Sequence, residues 1–283
     1  METVQIASAL GTEVRGVDLS KPLGPELVSA IHAAWMKDPV LLFRDQKMEP
    51  KSLIAFSAHF GPLERHDNYQ PELRYEEYPE LLRVKTTQVA GRRVTFGQQW
   101  HSDLSYTLRP ALGSVLYSLK LPAVGGDTLF SNMYLAYETL SPTMKRIVDG
   151  LECVHDHSFG AAHRDGSPEH LAAARMRNPP VVQPVVRVHP VTGRKALFVS
   201  EWMCSRIVGM TPDEGRGLID FLCRHSTREE FTFRQRWRVG DVLMWDNRAT
   251  VHMALADYSD DSSRELMRTS IAGTPMGRIH EPA

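Results

Sequence analysis

Two histidines stand two residues ahead of an aspartate, in His101-Ser102-Asp103 and His163-Arg164-Asp165. With twelve histidines in 283 residues, about one such triplet is expected by chance, so context has to separate a ligand pair from a coincidence. The second triplet runs into Gly166-Ser167-Pro168, the composition of a solvated turn. The first follows Trp100 and precedes Leu104-Ser105-Tyr106. In an extended segment residues two apart share a face, so His101 and Asp103 could grip one metal ion. Two neutral imidazoles and one carboxylate on one face of an octahedron make a ferrous oxygenase centre, which leaves three positions open. The second imidazole must then come from a neighbouring strand. His252 is the best placed: a strand over 241–245 and a turn at Asp246-Asn247 precede a return of the chain.

If such a centre uses 2-oxoglutarate, the far carboxylate of that co-substrate needs a cation, and a planar guanidinium fork suits it. Arg268 interrupts an apolar stretch between Arg264 and Gly273 and is the candidate. Cys153, Cys204 and Cys223 have neither metal-site spacing nor a nucleophile's neighbours. They read as small buried apolar residues in a reducing compartment.

These side chains need a scaffold. The first sixty residues alternate β, α, β, α: Val4 to Val14, a helix from Pro25 through Trp35, the apolar run Val40–Phe43, and a helix from Pro50 to Phe60. From Leu81 onward short β-type runs dominate, each bounded by Gly, Pro, Asn or Asp. Helical patterns intervene at 141–149 and 211–225. The polar stretch 155–180, with one short helix at Pro168–Met176, reads as an insertion or lid. The expectation is one domain over 1–283, mainly β with flanking helices around a jelly-roll core, with a mixed α/β segment over about 1–80. Thirty-three Lys+Arg against 34 Asp+Glu give a formal charge of -1, which supplies no field for nucleic acid or anionic lipid. No run approaches the ~20 apolar residues of a membrane helix, and Met1-Glu2-Thr3-Val4 does not open a secretory signal. A cytoplasmic protein with no membrane or nucleic-acid partner is expected.

Five segments in collinear order now resemble one family: Trp100-His101-Ser102-Asp103, Gly125-Gly126-Asp127-Thr128, the His189 to Val199 segment, Trp245-Asp246-Asn247-Arg248 with His252, and Arg264 with Arg268. Together they are similar to the TauD/TfdA (taurine dioxygenase) family of Fe(II)- and 2-oxoglutarate-dependent dioxygenases. The resemblance implies a double-stranded β-helix, iron on His101, Asp103 and His252, and 2-oxoglutarate held by Arg268 with Thr128 as second donor. It implies O₂ as co-substrate, succinate and CO₂ as co-products, a small anionic substrate and a homo-oligomer. The retained Asp103 favours hydroxylation over halogenation. For the substrate, His66, Tyr69, Ser158 and Phe159 match positions of the taurine-specific members, whereas Met203 replaces an aromatic wall and Gly97 an amide. An alkyl sulfonate such as taurine, a sulfate ester or a related acid is expected, with an ether-cleaving aryloxyalkanoate dioxygenase as the alternative. A jelly-roll binding protein and a zinc hydrolase are the rivals from other classes, and neither accounts for Arg268 beside three metal ligands.

Overall fold

The run Val40-Leu41-Leu42-Phe43 is buried at every position, which requires cover on both faces of its strand. Leu41 and Phe43 pack with Ile31 and Trp35 of the Pro25–Lys37 helix and with Leu53 and Phe56 of the Pro50–Ala58 helix. Val40 and Leu42 point the other way, into a cluster with Phe130, Phe233 and Trp245. This alternation organises the molecule. The computed structural model describes residues 1–280 except 68, 70, 90, 91, 162–165 and 260–262, together with the side chains of 87–89, 92–94 and 161.

Seven strands form the main sheet in the order Glu2–Gln5, Thr12–Arg15, Val40–Phe43, Val242–Asp246, Gly113–Lys120, Glu265–Ile271, Leu82–Lys85. A three-stranded sheet, Thr232–Gln235, Thr128–Asn132 and Thr250–Ala254, lies on the face opposite the two helices. Ser114 and Leu116 share one face of the Gly113–Lys120 strand, and Leu266 and Arg268 one face of Glu265–Ile271. Since Leu116 and Leu266 pack with Phe130 of the smaller sheet, Ser114 and Arg268 also look into the space between the two sheets.

The N-terminal elements lie where the pattern predicts them. The Pro25–Lys37 helix has proline in its first turn, Glu26 there too and Lys37 in its last, which suits the helix dipole. Several strands escape the pattern, among them Glu152–His155, Val181–Pro184 and Cys204–Ile207, neighbours in a four-stranded sheet. Their mixed polar sequences do not alternate. The six-residue helix Met133–Glu138 is also unpredicted, and it starts because the Asn132 side chain accepts the N–H groups of Tyr134 and Leu135.

Gly113 is where the helical layer comes closest to the main sheet. A Cβ there would lie 2.6 Å from the Trp35 ring and 2.7 Å from the Trp245 carbonyl oxygen, so Gly113→Ala forces two buried groups apart. The expected cost is about 1–3 kcal/mol of unfolding free energy, read from urea denaturation of the metal-free protein; parental stability would mean that Trp35 can move aside freely.

Candidate active site

The Thr250–Ala254 strand delivers His252, and one backbone bridge fixes His101 beside it. The His101 N–H donates to the His252 carbonyl at 3.0 Å, and the His252 N–H to the His101 carbonyl at 2.8 Å. Asp103 follows two residues on, and the chain turns just past it, with Leu104 at φ 55°. The Asp103 carboxylate faces both rings. His101 Nε2 lies 3.7 Å and His252 Nε2 4.0 Å from Asp103 Oδ1, and one ligand atom from each of the three residues falls within 4.8 Å of the others.

The donor set suits a cation. Both Nε2 contacts are too long for hydrogen bonds. His101 Nδ1 is 2.6 Å from the Gln99 carbonyl oxygen, which can only accept, so Nδ1 carries the proton and Nε2 a lone pair. That lone pair faces a carboxylate oxygen. Acceptor against acceptor in a buried site is unfavourable unless a positive ion lies between them. Burial lowers the pKa of both imidazoles, that of His252 to about 3, so they are in the neutral, ligating form. Burial would raise the Asp103 carboxyl, yet the Arg268 guanidinium, with a hydrogen bond from Ser114, holds it below the usual carboxylate range.

Sequence reasoning pairs Thr128 with Arg268 on one carboxylate; in the structure the arginine bonded to Thr128 is Arg264. Thr128 Oγ1 accepts from Arg264 Nη2 at 3.1 Å and from Trp237 Nε1 at 3.0 Å, while Arg264 Nε donates to the Gly126 carbonyl at 2.8 Å. Arg268 Nη1 instead donates to Asp103 Oδ1 at 3.1 Å. Arg268 lies within the Glu265–Ile271 strand and Arg264 immediately before it, so four residues of chain, up to roughly 13 Å at ~3.3 Å per residue, separate the two and each guanidinium finds its own partners.

His66 and Tyr69 come together with Arg268. Their rings meet edge to face with centroids 5.4 Å apart, Tyr69 hydrogen-bonds Arg268, and the guanidinium lies over Phe96 at 5.4 Å. His66 is buried with no hydrogen-bond partner for Nε2, and burial, then Arg268, lower its pKa to about 3. The Ser158 hydroxyl, by contrast, donates to Asp156 at 2.6 Å and accepts from Arg175 Nε at 2.9 Å. The Phe159 ring lies 5.9 Å from the Arg216 guanidinium. Met203 is buried and its carbonyl accepts the Asp156 N–H. Its neighbour Trp202 is the residue that meets His101, edge to face at 5.7 Å, over Gly160, where a Cβ would collide with the indole. Arg264, Trp202, Ser114 and Asn247 are the site residues to which sequence reasoning gave no role; Arg264 and Asn247 had a signal, since both stand within motifs that carry the family resemblance. His163 and Asp165 lie outside the described residues.

Cys153, His155 and Cys204 form a second buried cluster with metal-ligand atoms. Burial raises the Cys204 thiol far above its ordinary pKa, and its sulfur is already 3.3 Å from the Ser200 N–H and 3.5 Å from His155 Nε2. It is packed core, as expected for Cys153 and Cys204, whereas Cys223 is only partly buried.

Residues 2–270 match the family described as taurine catabolism dioxygenase TauD, TfdA family. The chain belongs to this family. Among curated TauD/TfdA relatives, it is 35% identical over 268 residues to the alpha-ketoglutarate-dependent 2,4-dichlorophenoxyacetate dioxygenase of Cupriavidus pinatubonensis, covering 91% of this chain and 92% of that protein. It is 34% identical over 280 residues to the alpha-ketoglutarate-dependent sulfate ester dioxygenase of Pseudomonas putida, covering 96% and 90%. A crystal structure of a taurine dioxygenase from Burkholderia xenovorans superposes with a TM-score of 0.83 at 34% identity, covering 100% of this chain and 95% of that one. The protein is therefore an Fe(II)- and 2-oxoglutarate-dependent dioxygenase that uses O₂. No helix among the described residues is long and apolar enough to cross a membrane.

His66 gives the TauD/TfdA pocket a pH signature. Folded, it stays neutral down to about pH 3; unfolded, it takes up a proton near its ordinary value of 6.5. The unfolded state thus binds more protons, and stability falls as pH drops from about 6.5 toward 3. His66→Phe is expected to flatten that acid limb in the metal-free protein, measured by denaturant unfolding between pH 7 and 4; an unchanged slope would show that His66 is not buried neutral.

Proposed function

We propose that this dioxygenase hydroxylates a C–H bond of an organic anion with an apolar body, such as a sulfate ester or an aryloxyalkanoate. In this reading His101, Asp103 and His252 hold iron, Arg264 with Thr128 holds the far carboxylate of 2-oxoglutarate, and Arg268 with Tyr69 and His66 receives the substrate anion. Bound iron supplies activation of O₂ coupled to oxidation of 2-oxoglutarate to succinate and CO₂. The chain's own residues orient the partners. The Thr128 hydroxyl accepts two N–H groups, so its proton remains to donate to a carboxylate. The neighbouring Arg264, 3% exposed, adds a cation in a desolvated setting. Neutral His66 has a spare ring nitrogen for an anion's oxygen. The side chains nearest the iron ligands favour an apolar substrate body: Trp202 meets His101, Phe96 underlies Arg268, and Gly97 leaves the His101 ring bare, since a Cβ there would touch it at 3.1 Å. With Met203 in place of an aromatic wall and Gly97 in place of an amide, neither position offers a specific contact to the amine of taurine.

The one observation that carries this assignment is the separation of the two guanidinium groups, one bonded to Thr128 and the other to Asp103. The two facing sheets support a double-stranded β-helix core, and the family match over 2–270 supports a single domain. Arg175 of the Pro168–Arg177 helix, bonded to Ser158 and Asp156, supports a lid role for 155–180. Three free cysteines support a cytoplasmic location; homo-oligomerisation is carried over from the family.

Succinate and hydroxylated product, measured side by side for alkyl sulfates, phenoxyacetates, alkyl sulfonates and taurine, test the substrate class: taurine as the best-coupled substrate would overturn it. Single alanine variants of His101, Asp103 and His252 should each lose iron by metal analysis while keeping their circular dichroism. Arg264→Leu should raise KM for 2-oxoglutarate by an amount equivalent to about 2–5 kcal/mol, and Thr128→Val by about 1 kcal/mol or a little more. Arg268→Leu should chiefly impair substrate coupling. If Arg268→Leu rather than Arg264→Leu raises the 2-oxoglutarate KM, the two roles are reversed.

A further inference from the structure

Asp103 shows two different oxygens to its surroundings. Oδ1 faces both imidazoles and Arg268, while Oδ2 accepts a 2.7 Å hydrogen bond from Ser114 Oγ. The direction of that bond is settled three residues away. The Trp245 indole N–H, which can only donate, reaches Asn247 Oδ1 at 3.0 Å, and the Asp103 backbone N–H reaches the same oxygen at 3.2 Å. Two donors fix the amide's orientation and turn Asn247 Nδ2 toward Ser114 Oγ, 3.1 Å away. Ser114 must therefore accept from Asn247, and its only proton goes to Asp103. The Ser102 hydroxyl closes the turn from the other side by donating to the Asn247 carbonyl at 2.8 Å. Asp103, Ser114, Trp245 and Asn247 are all buried, at 5% exposure or less, so water does not compete for these bonds.

We propose that Ser114 and Asn247 are positioning residues that confine Asp103 to donating a single oxygen to iron. The inference rests on the ligand role proposed for Asp103. A carboxylate can turn about its Cβ–Cγ bond and offer both oxygens to one cation. With Oδ2 tied to Ser114 it offers only Oδ1, and the position that Oδ2 would fill stays open for 2-oxoglutarate or O₂. The chain Trp245, Asn247, Ser114, Asp103 thus protects coordination capacity rather than iron affinity. That distinction separates it from a merely structural hydrogen bond. It also gives the Trp245-Asp246-Asn247 segment a chemical task, since its amide decides which way a serine proton points in the neighbouring strand.

Ser114→Ala removes one hydroxyl at a fully buried position, and Asn247→Ala removes the amide that orients it. Three quantities are read anaerobically for each: Fe(II) affinity, 2-oxoglutarate affinity of the iron-loaded protein followed by its visible charge-transfer absorption, and the unfolding midpoint of the metal-free protein. The expected result is iron binding within about threefold of the parent, with 2-oxoglutarate bound about tenfold more weakly and the absorption band diminished. Ser114→Cys, a weaker donor, should fall between. Parental 2-oxoglutarate affinity and absorption in Ser114→Ala overturn the inference, as does a loss of iron and 2-oxoglutarate binding in equal proportion that follows a lowered midpoint. Asp103→Ala separates this from the underlying reading: parental iron affinity in that variant removes the ligand assignment and the inference with it.

Discussion

A carboxylate 5% exposed between two sheets is costly to bury unless cations and donors compensate it, and the architecture around Asp103 is a set of answers to that cost. The Gly113–Lys120 strand supplies a hydroxyl, Glu265–Ile271 a guanidinium, and Thr250–Ala254 with the segment at His101 two imidazoles. The imidazoles, kept neutral by burial, bring lone pairs and no charge, so they compensate the anion only with a metal ion between them and the carboxylate. Arg268 is then the permanent cation of the cluster. Removing any of these strands exposes or strands the anion, which ties the fold's layers to the chemistry between them.

The charge distribution follows from where the two arginines stand. Arg264 immediately precedes the Glu265–Ile271 strand and Arg268 lies within it, and one is bonded to Gly126 and Thr128, the other to Asp103. An enzyme that must bind a dicarboxylate and a second anion in one cavity needs two cations that do not compete for the same ligand. Their separate hydrogen bonds, to Gly126 and Thr128 for Arg264 and to Asp103 for Arg268, keep the two cations apart. Burial lowers the Arg264 pKa to about 10, which leaves it fully charged at neutral pH, so the desolvated position strengthens its bond to a carboxylate without endangering protonation.

Much of this was readable beforehand, and for identifiable reasons. His101 and Asp103 carry the signal of period-two alternation, and Val40–Phe43 and the Pro25 helix announce themselves by apolar runs and caps. The division between Arg264 and Arg268 was not readable, because both fit a guanidinium role and only the third dimension shows which one meets Thr128. Ser158 shows what position in sequence leaves out. Its place matches a substrate contact, while its hydroxyl also bonds Asp156 and Arg175, one of which arrives from seventeen residues downstream. Strands such as Glu152–His155 and Cys204–Ile207 were invisible because their pairing is decided by partners, not by their own pattern.

The backbone bridge between His101 and His252 has a further meaning. Since main-chain hydrogen bonds, not the metal, hold the two ligand-bearing segments together, the entropy of gathering the imidazoles is lost once, when the chain folds. Metal uptake then demands little reorganisation. Such a centre can be emptied by a chelator and refilled many times without passing through an unfolded chain, in contrast to small domains whose folding is driven by their ion.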